Sequence, residues 1–178
     1  MGHKHSKDEI LAEALRAALE DGLSRLTFGS LAGRLGISDR MVVYYFPSKD
    51  DLIREVLVAM GLQLQQTLAE AMTQQASGPL DLVAAAWPMV SRPATDPIFA
   101  IFFEAMGLAA SGRDPYHALM PDLIEAWVEW VSGFFAGPVA RRRAQAEASL
   151  ALLDGLLLLR QLAGPAAANR AAKALGVA

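Results

Sequence analysis

Side chains that could catalyse a reaction are scarce in this sequence of 178 residues. It has no cysteine and three histidines. Two of the histidines, at positions 3 and 5, lie in a start that resembles an expression remnant, so they are not counted as candidate site residues. His117 has no evident catalytic partner, and Gly29, Gly33 and Gly36 lack the spacing and the preceding strand of a phosphate-binding loop. We therefore expect no enzyme, no metal site and no cofactor.

A pattern suited to binding phosphate lies around position 48. Pro47 should end one helix, and Ser48 with Asp51 three residues later should form the capping box of the next. Lys49 would lie in the first turn of that helix, where the helix N-terminus and an ammonium group together favour an anion. The pattern predicts a phosphate contact at Lys49.

Two short helices should lie directly before this pattern. Thr27 can cap the first helix, Gly36 can supply a left-handed turn, and Ser38 can cap the second. This spacing is typical of two helices that cross at a wide angle around a turn of three or four residues, as in a helix-turn-helix. We therefore predict a helix-turn-helix from Phe28 to about Pro47. The alternative is a helical hairpin that contacts no nucleic acid.

An amphipathic helix should precede this pair. Apolar residues recur at three- and four-residue steps from Asp8 to about Glu20. Ser6 and Glu9 predict a capping box at its start, and Gly22 predicts its end.

Four motifs in this region occur in an order and spacing that resemble the DNA-binding domain of the tetracycline-repressor (TetR) family, over Ile10 to Val56. They are Thr27-Phe28, Leu31-Ala32, Leu35-Gly36-Ile37-Ser38 and Tyr45-Phe46-Pro47-Ser48-Lys49-Asp50-Asp51-Leu52. The resemblance implies an all-α homodimer that binds a palindromic DNA operator, usually as a repressor. A small-molecule effector would then release it from the DNA.

The resemblance also implies the residues that contact DNA. Ser38, Asp39, Arg40, Met41 and Tyr44 would face the major groove, while Thr27, Tyr45 and Lys49 would contact phosphates. A guanidinium can donate two hydrogen bonds to a guanine edge, which makes Arg40 the best candidate for reading a base. The chain departs from the family at Val43, where a tyrosine is usual. The carboxylate of Asp39 would repel phosphate but could accept a hydrogen bond from cytosine.

The overall charge gives DNA binding no support. The net charge is −3, with seven basic and eight acidic residues up to position 53 and nine basic and eleven acidic residues after it. Affinity for a polyanion would therefore have to come from a local patch. The alternative function is a helical interaction protein that has lost specific operator binding.

The rest of the chain should be helical as well. One long helix should continue from Lys49 to about Gln75, and Gly, Pro and Ser clusters divide the remainder, which gives about nine helices in total. We predict a DNA-binding domain over 1–48 and a ligand-binding and dimerisation domain over 49–178. No apolar run is long enough for a membrane span and no signal peptide is evident, so we expect a cytoplasmic protein without a membrane partner.

Two further sites are predicted in the second domain. The segment Val139 to Leu162 is so rich in leucine that we expect a dimer interface, although the same residues could complete a monomer core. The interface candidates are Leu152, Leu153, Leu156, Leu157, Leu159 and Leu175. Large flat side chains in the middle helices predict a pocket for an apolar effector, although such stripes are usually core. The pocket candidates are Trp87, Phe99, Phe102, Phe103, Met106, Trp127 and Trp130.

Overall fold

A computed structural model describes residues 6–72 and 75–178, and this part of the chain has the predicted all-α fold with nine α-helices. Positions 1–5, with the two early histidines, lie outside the described residues. The helices are α1 (Lys7–Asp21), α2 (Phe28–Leu35), α3 (Asp39–Tyr45), α4 (Lys49–Ala71), α5 (Pro79–Val90), α6 (Asp96–Ala110), α7 (Tyr116–Ser132), α8 (Val139–Ala163) and α9 (Pro165–Ala174). Within the described ranges, every helix is too short or too polar to span a lipid bilayer.

Most helix boundaries follow the signals in the sequence. Ser6 and Glu9 form the predicted capping box of α1, with the Ser6 backbone N–H donating to the Glu9 carboxylate over 2.8 Å. Ser48 and Asp51 make the corresponding pair of contacts at the start of α4. Gly36 ends α2 in the left-handed conformation, with φ of 67°, as the turn requires. These capping predictions are confirmed.

Two local predictions were wrong. Ser38 is the N-cap residue of α3, but its side chain makes no capping hydrogen bond. The backbone N–H of Met41, which such a cap would engage, donates to the Ser38 carbonyl oxygen over 2.9 Å. Helix α4 ends at Ala71 rather than near Gln75, because the last apolar side chain to be buried is Met72 and the next three residues are polar.

The chain folds into two compact units. The first runs up to Gln63 and adds Ile101–Met120, so it contains α1 to α3, most of α4 and most of α6. Its core is built from fully buried side chains of several helices: Ile10, Leu31, Val42, Phe46, Leu52 and Val56.

The second compact unit comprises Leu64–Ala100 and Pro121–Ala178. In it α8 packs against α5 and α9, and an ion pair joins the buried Arg160 to the half-buried Asp96. The functional division between residues 48 and 49 stays a prediction, since these units are defined by packing alone.

Candidate nucleic-acid interface

Helix α3 is held by its inner face and leaves its outer face open. Val42 and the following Phe46 are fully buried in the first unit, where α2 and α3 pack together. Four of the predicted major-groove residues are exposed: Ser38, Asp39, Arg40 and Tyr44. Tyr44 is 77% exposed, which is unusual for an aromatic side chain. Met41 is half-buried. The outer face of α3 is therefore a polar and aromatic surface available to a partner.

The two cations predicted to contact DNA are both available. Arg40 lies in the first turn of α3 and Lys49 is the first residue of α4. Both are exposed, and neither forms an ion pair with any of the described residues. Each therefore retains its full capacity to donate to an external acceptor.

Arg34, in contrast, is used within the unit. Its guanidinium reaches three carboxylates of α1: Glu13 at 2.6 Å, Glu20 at 2.6 Å and Asp21 at 3.5 Å. Hydrogen bonds with Glu13 and then Glu20 raise the pKa of Arg34 above its usual value. This cluster, which the sequence did not reveal, fastens α2 to α1, and the single positive charge of Arg34 offsets part of the negative charge of the three carboxylates.

The structure gives the Asp39 carboxylate a local role. Its Oδ2 atom lies 3.6 Å from the position that a Cβ atom on Gly29 would occupy, at the first turn of α2. The partial positive charge of a helix N-terminus favours a carboxylate there. The negative charge of Asp39 thus lies close to the N-terminus of α2 as well as on the exposed surface of α3.

Thr27 already serves as a cap. Its Oγ1 accepts from the Ser30 backbone N–H over 3.1 Å and lies 3.0 Å from the Ser30 hydroxyl. A hydroxyl group has one proton to donate, so donation to a phosphate would replace the contact with the Ser30 oxygen. The predicted phosphate contact is compatible with this geometry but requires that exchange.

The aromatic residues at the end of α3 are supported from two sides. Tyr44 and Tyr45 meet edge to face with ring centroids 5.0 Å apart, and Tyr45 is half-buried. Lys7 Nζ lies 5.5 Å above the Phe46 ring and 2.6 Å from a carboxylate oxygen of Glu55. These contacts join the start of α1 to α3 and α4 and hold the outer face of α3 in place.

Comparison with known proteins matches the N-terminal stretch of the chain to a protein family. Residues 10–56 match the bacterial regulatory proteins of the tetR family, which is the stretch that contains α2, α3 and the start of α4. Over these residues the chain is similar to the tetR family of regulatory proteins. The exposed outer face of α3 lies within this matched stretch.

Solved structures share the fold of this chain over nearly its whole length. A transcriptional regulator from Rhodococcus sp. Rha1 has a TM-score of 0.73 and 20% identity, with 96% of this chain and 94% of that one covered. A TetR transcriptional regulator from Legionella pneumophila has a TM-score of 0.66 and 19% identity, with 98% and 96% covered. A regulator from Saccharomonospora viridis in complex with choline has a TM-score of 0.70 and 17% identity, with 96% and 93% covered. No match was found among curated protein sequences.

The structure divides the pocket candidates between the two units. Phe102, Phe103 and Met106 are half-buried residues of the first unit. Trp127 and Trp130 lie in the second unit, with ring centroids 5.5 Å apart and rings edge to face. The remaining candidates, Trp87 and Phe99, are buried in the second unit.

A small apolar cavity lies beside the tryptophan pair. Its lining includes Leu68, Met72, Leu82, Ala86, Trp127, Trp130, Val131, Ser149, Leu150 and Leu153. Its volume is only about 20 Å³, close to the space of one water molecule and far below that of a typical small-molecule site. The one polar side chain in the lining, that of Ser149, already donates to the Gln145 carbonyl oxygen. The cavity therefore presents an apolar surface.

The interface candidates fall into two groups. Leu153, Leu156 and Leu157 are buried within the chain itself, and Leu152 is half-buried. Leu159 and Leu175 are exposed, and two more leucines of α8, Leu158 and Leu162, are exposed beside them in sequence. Leu162 is 78% exposed. The exposed group has the most apolar surface left for a second protomer, and Leu152 retains a smaller part.

Proposed function

We propose that this chain is a homodimeric repressor of the TetR family that reads a palindromic operator through α3 and is released by a small, largely apolar effector. The observation that carries the proposal is the open outer face of α3, on which Arg40 is exposed and unpaired in the described residues. A protein with net charge −3 needs such a local site to bind a polyanion.

The roles proposed for the residues follow from their positions. Ser38, Asp39, Arg40, Met41 and Tyr44 would face base edges, and Arg40 would donate to a guanine. Thr27, Tyr45 and Lys49 would hold phosphates on either side and so set the register of α3 in the groove.

The exposed leucines support a dimer. Leu158, Leu159 and Leu162 recur at three- and four-residue steps along α8, so they share one face of the helix. An exposed apolar stripe of this kind is costly in water unless a partner covers it. A second copy of the chain is the partner proposed, because two readers related by a twofold axis would match a palindromic operator.

The cavity beside Trp127 and Trp130 supports an effector of apolar character. Its lining offers aromatic and aliphatic surface and no free charged group. A neighbour of similar fold was solved with choline, a small molecule whose methyl groups suit aromatic surfaces. The cavity is small, so an effector of more than a few atoms would have to displace lining side chains, and that displacement would couple effector binding to a change in shape. We place the function in the cytoplasm, where the operator is.

A salt-dependent titration with the DNA that flanks the chain's own gene tests the proposal. We expect tight binding to one palindromic segment, strong loss of its specificity on Arg40→Ala, and weaker binding to all sequences with a shallower salt dependence on Lys49→Ala. Arg113→Ala is the matched control, because Arg113 is exposed and lies outside the helix-turn-helix. Binding that is indifferent to both substitutions would refute the residue assignments. Absence of specific binding would favour the interaction protein.

A further inference from the structure

Helix α6 carries one acidic side chain after its first residue, and that side chain makes a long-range contact. The carboxylate of Glu104 accepts from the Leu23 backbone N–H over 3.0 Å and from the Ser24 backbone N–H over 3.0 Å. It also accepts a short hydrogen bond from the Ser24 hydroxyl. All of these residues belong to the first unit.

The acceptor meets a turn whose own N-cap residue makes no side-chain capping hydrogen bond. Leu23–Arg25 form a 3₁₀ turn between α1 and the Thr27 cap of α2, and no side chain of its own N-cap residue, Gly22, can accept. The first N–H groups of a helical turn lack partners within it. An ionised carboxylate that accepts several of them is a strong, charge-assisted cap.

The backbone at Gly22 is shaped around this carboxylate. Gly22 has φ of 88°, and a Cβ atom there would lie 3.2 Å from Glu104 Oε2. A larger residue would be strained in this conformation and would also crowd the carboxylate. The contact thus joins α6 to the one segment through which α1 is connected to α2.

We propose that Glu104 is a positioning residue for DNA binding. Its carboxylate holds the turn at Leu23 and Ser24 and so fixes where α2, and the reading helix packed on it, lie relative to α6. Glu104 itself contacts no DNA in this proposal, which rests on the proposed function of α3 as the operator-reading helix.

The test combines operator titration with hydrogen exchange on the full chain. Glu104→Ala should raise the operator Kd about tenfold, the change that corresponds to 1.4 kcal/mol. It should also speed amide exchange at Leu23 and Ser24 about tenfold or more and leave the amide of Val42 unchanged. The matched control is Glu129→Ala, an exposed carboxylate on α7. Removing either negative charge should by itself strengthen DNA binding, so a weakening is opposite in sign to the simple charge effect.

Two milder variants keep the test decisive if Glu104→Ala does not fold. Glu104→Gln retains an acceptor oxygen and should recover part of the affinity, while Ser24→Ala removes one donor and should lose part of it. The combination of Ser24→Ala with a Glu104 variant should cost less than the sum of the two, since both act on one contact.

Unchanged exchange at Leu23 and Ser24, or a Glu104→Ala operator Kd equal to that of the Glu129→Ala control, would overturn the proposal. If the unmodified protein binds no operator, the proposed function fails first and this inference fails with it. If the unmodified protein binds its operator and the Glu104 variants bind it as the Glu129→Ala control does, the inference about Glu104 is wrong and the proposed function stands.

Discussion

Asp96→Ala should be one of the most destabilising single substitutions in the second unit. Arg160 is buried, with 4% of its side chain exposed, and it donates to the two carboxylate oxygens of Asp96 over 2.6 and 2.9 Å. Gln161 adds a hydrogen bond to the Asp96 carbonyl oxygen over 2.8 Å, which the substitution would leave in place. Removing the carboxylate leaves a buried guanidinium without its anion.

The magnitude follows from the burial of the two partners. Breaking a buried pair from one side costs about 3–5 kcal/mol. Asp96 is 36% exposed, so water screens the pair and partly replaces the carboxylate. We therefore expect Asp96→Ala to lower the free energy of unfolding by about 2–3 kcal/mol, which for a chain of this size corresponds to a fall in Tm of roughly 5–10 °C.

Urea unfolding followed by circular dichroism, at one fixed protein concentration, measures this change. The double variant Asp96→Ala with Arg160→Met should regain much of the lost stability, because the buried charge is then gone as well. A loss below about 0.5 kcal/mol for Asp96→Ala, or a double variant less stable than Asp96→Ala alone, would refute the reasoning.

Three other substitutions have defined outcomes. Burial raises the pKa of Asp154 from 3.8 to about 6, so the folded state holds this proton more tightly than the unfolded state, and stability is lost as the pH rises from about 4 through 6. In urea unfolding, Asp154→Asn should be as stable as the unmodified protein near pH 4 and more stable by about 2–3 kcal/mol above pH 7. A variant as stable as the unmodified protein at both pH values would contradict this. Gly36→Ala should cost about 1 kcal/mol in the same assay from its positive φ alone, since its Cβ would meet nothing within 4 Å; a neutral effect would argue against the left-handed turn. Leu159→Glu should shift the protein from dimer to monomer in analytical ultracentrifugation, whereas Leu80→Glu, at an exposed leucine of α5, should not; an unchanged dimer in the first variant would exclude this face.

Features that depend on neighbours in the sequence could be predicted closely. The capping boxes at Ser6 and Ser48 and the left-handed turn at Gly36 are fixed by interactions that span three or four residues, and the structure confirms them. The motif block from Thr27 to Leu52 likewise indicated the similarity to the tetR family over residues 10–56, because its residue types meet the local needs of a helix-turn-helix.

Features that depend on distant contacts could not be predicted. Leucine spacing along α8 did not reveal that Leu156 and Leu157 are buried within the chain while Leu159 and Leu162 are exposed, since the packing of α5 and α9 decides which face is covered. The cap that Glu104 supplies to Leu23 spans about eighty residues. A lone acid in an apolar helix was the only signal of it, and that signal names no partner.

The account depends most on Arg40 as a reader of base edges. The most direct measurement is the Kd for DNA whose symmetric guanine positions are replaced, divided by the Kd for the operator itself, compared between the unmodified protein and Arg40→Ala. We predict that the ratio falls by about 5- to 150-fold per half-site, the equivalent of 1–3 kcal/mol, while binding to the replaced DNA changes little. An unchanged ratio in Arg40→Ala would contradict the reading of DNA by this face of α3.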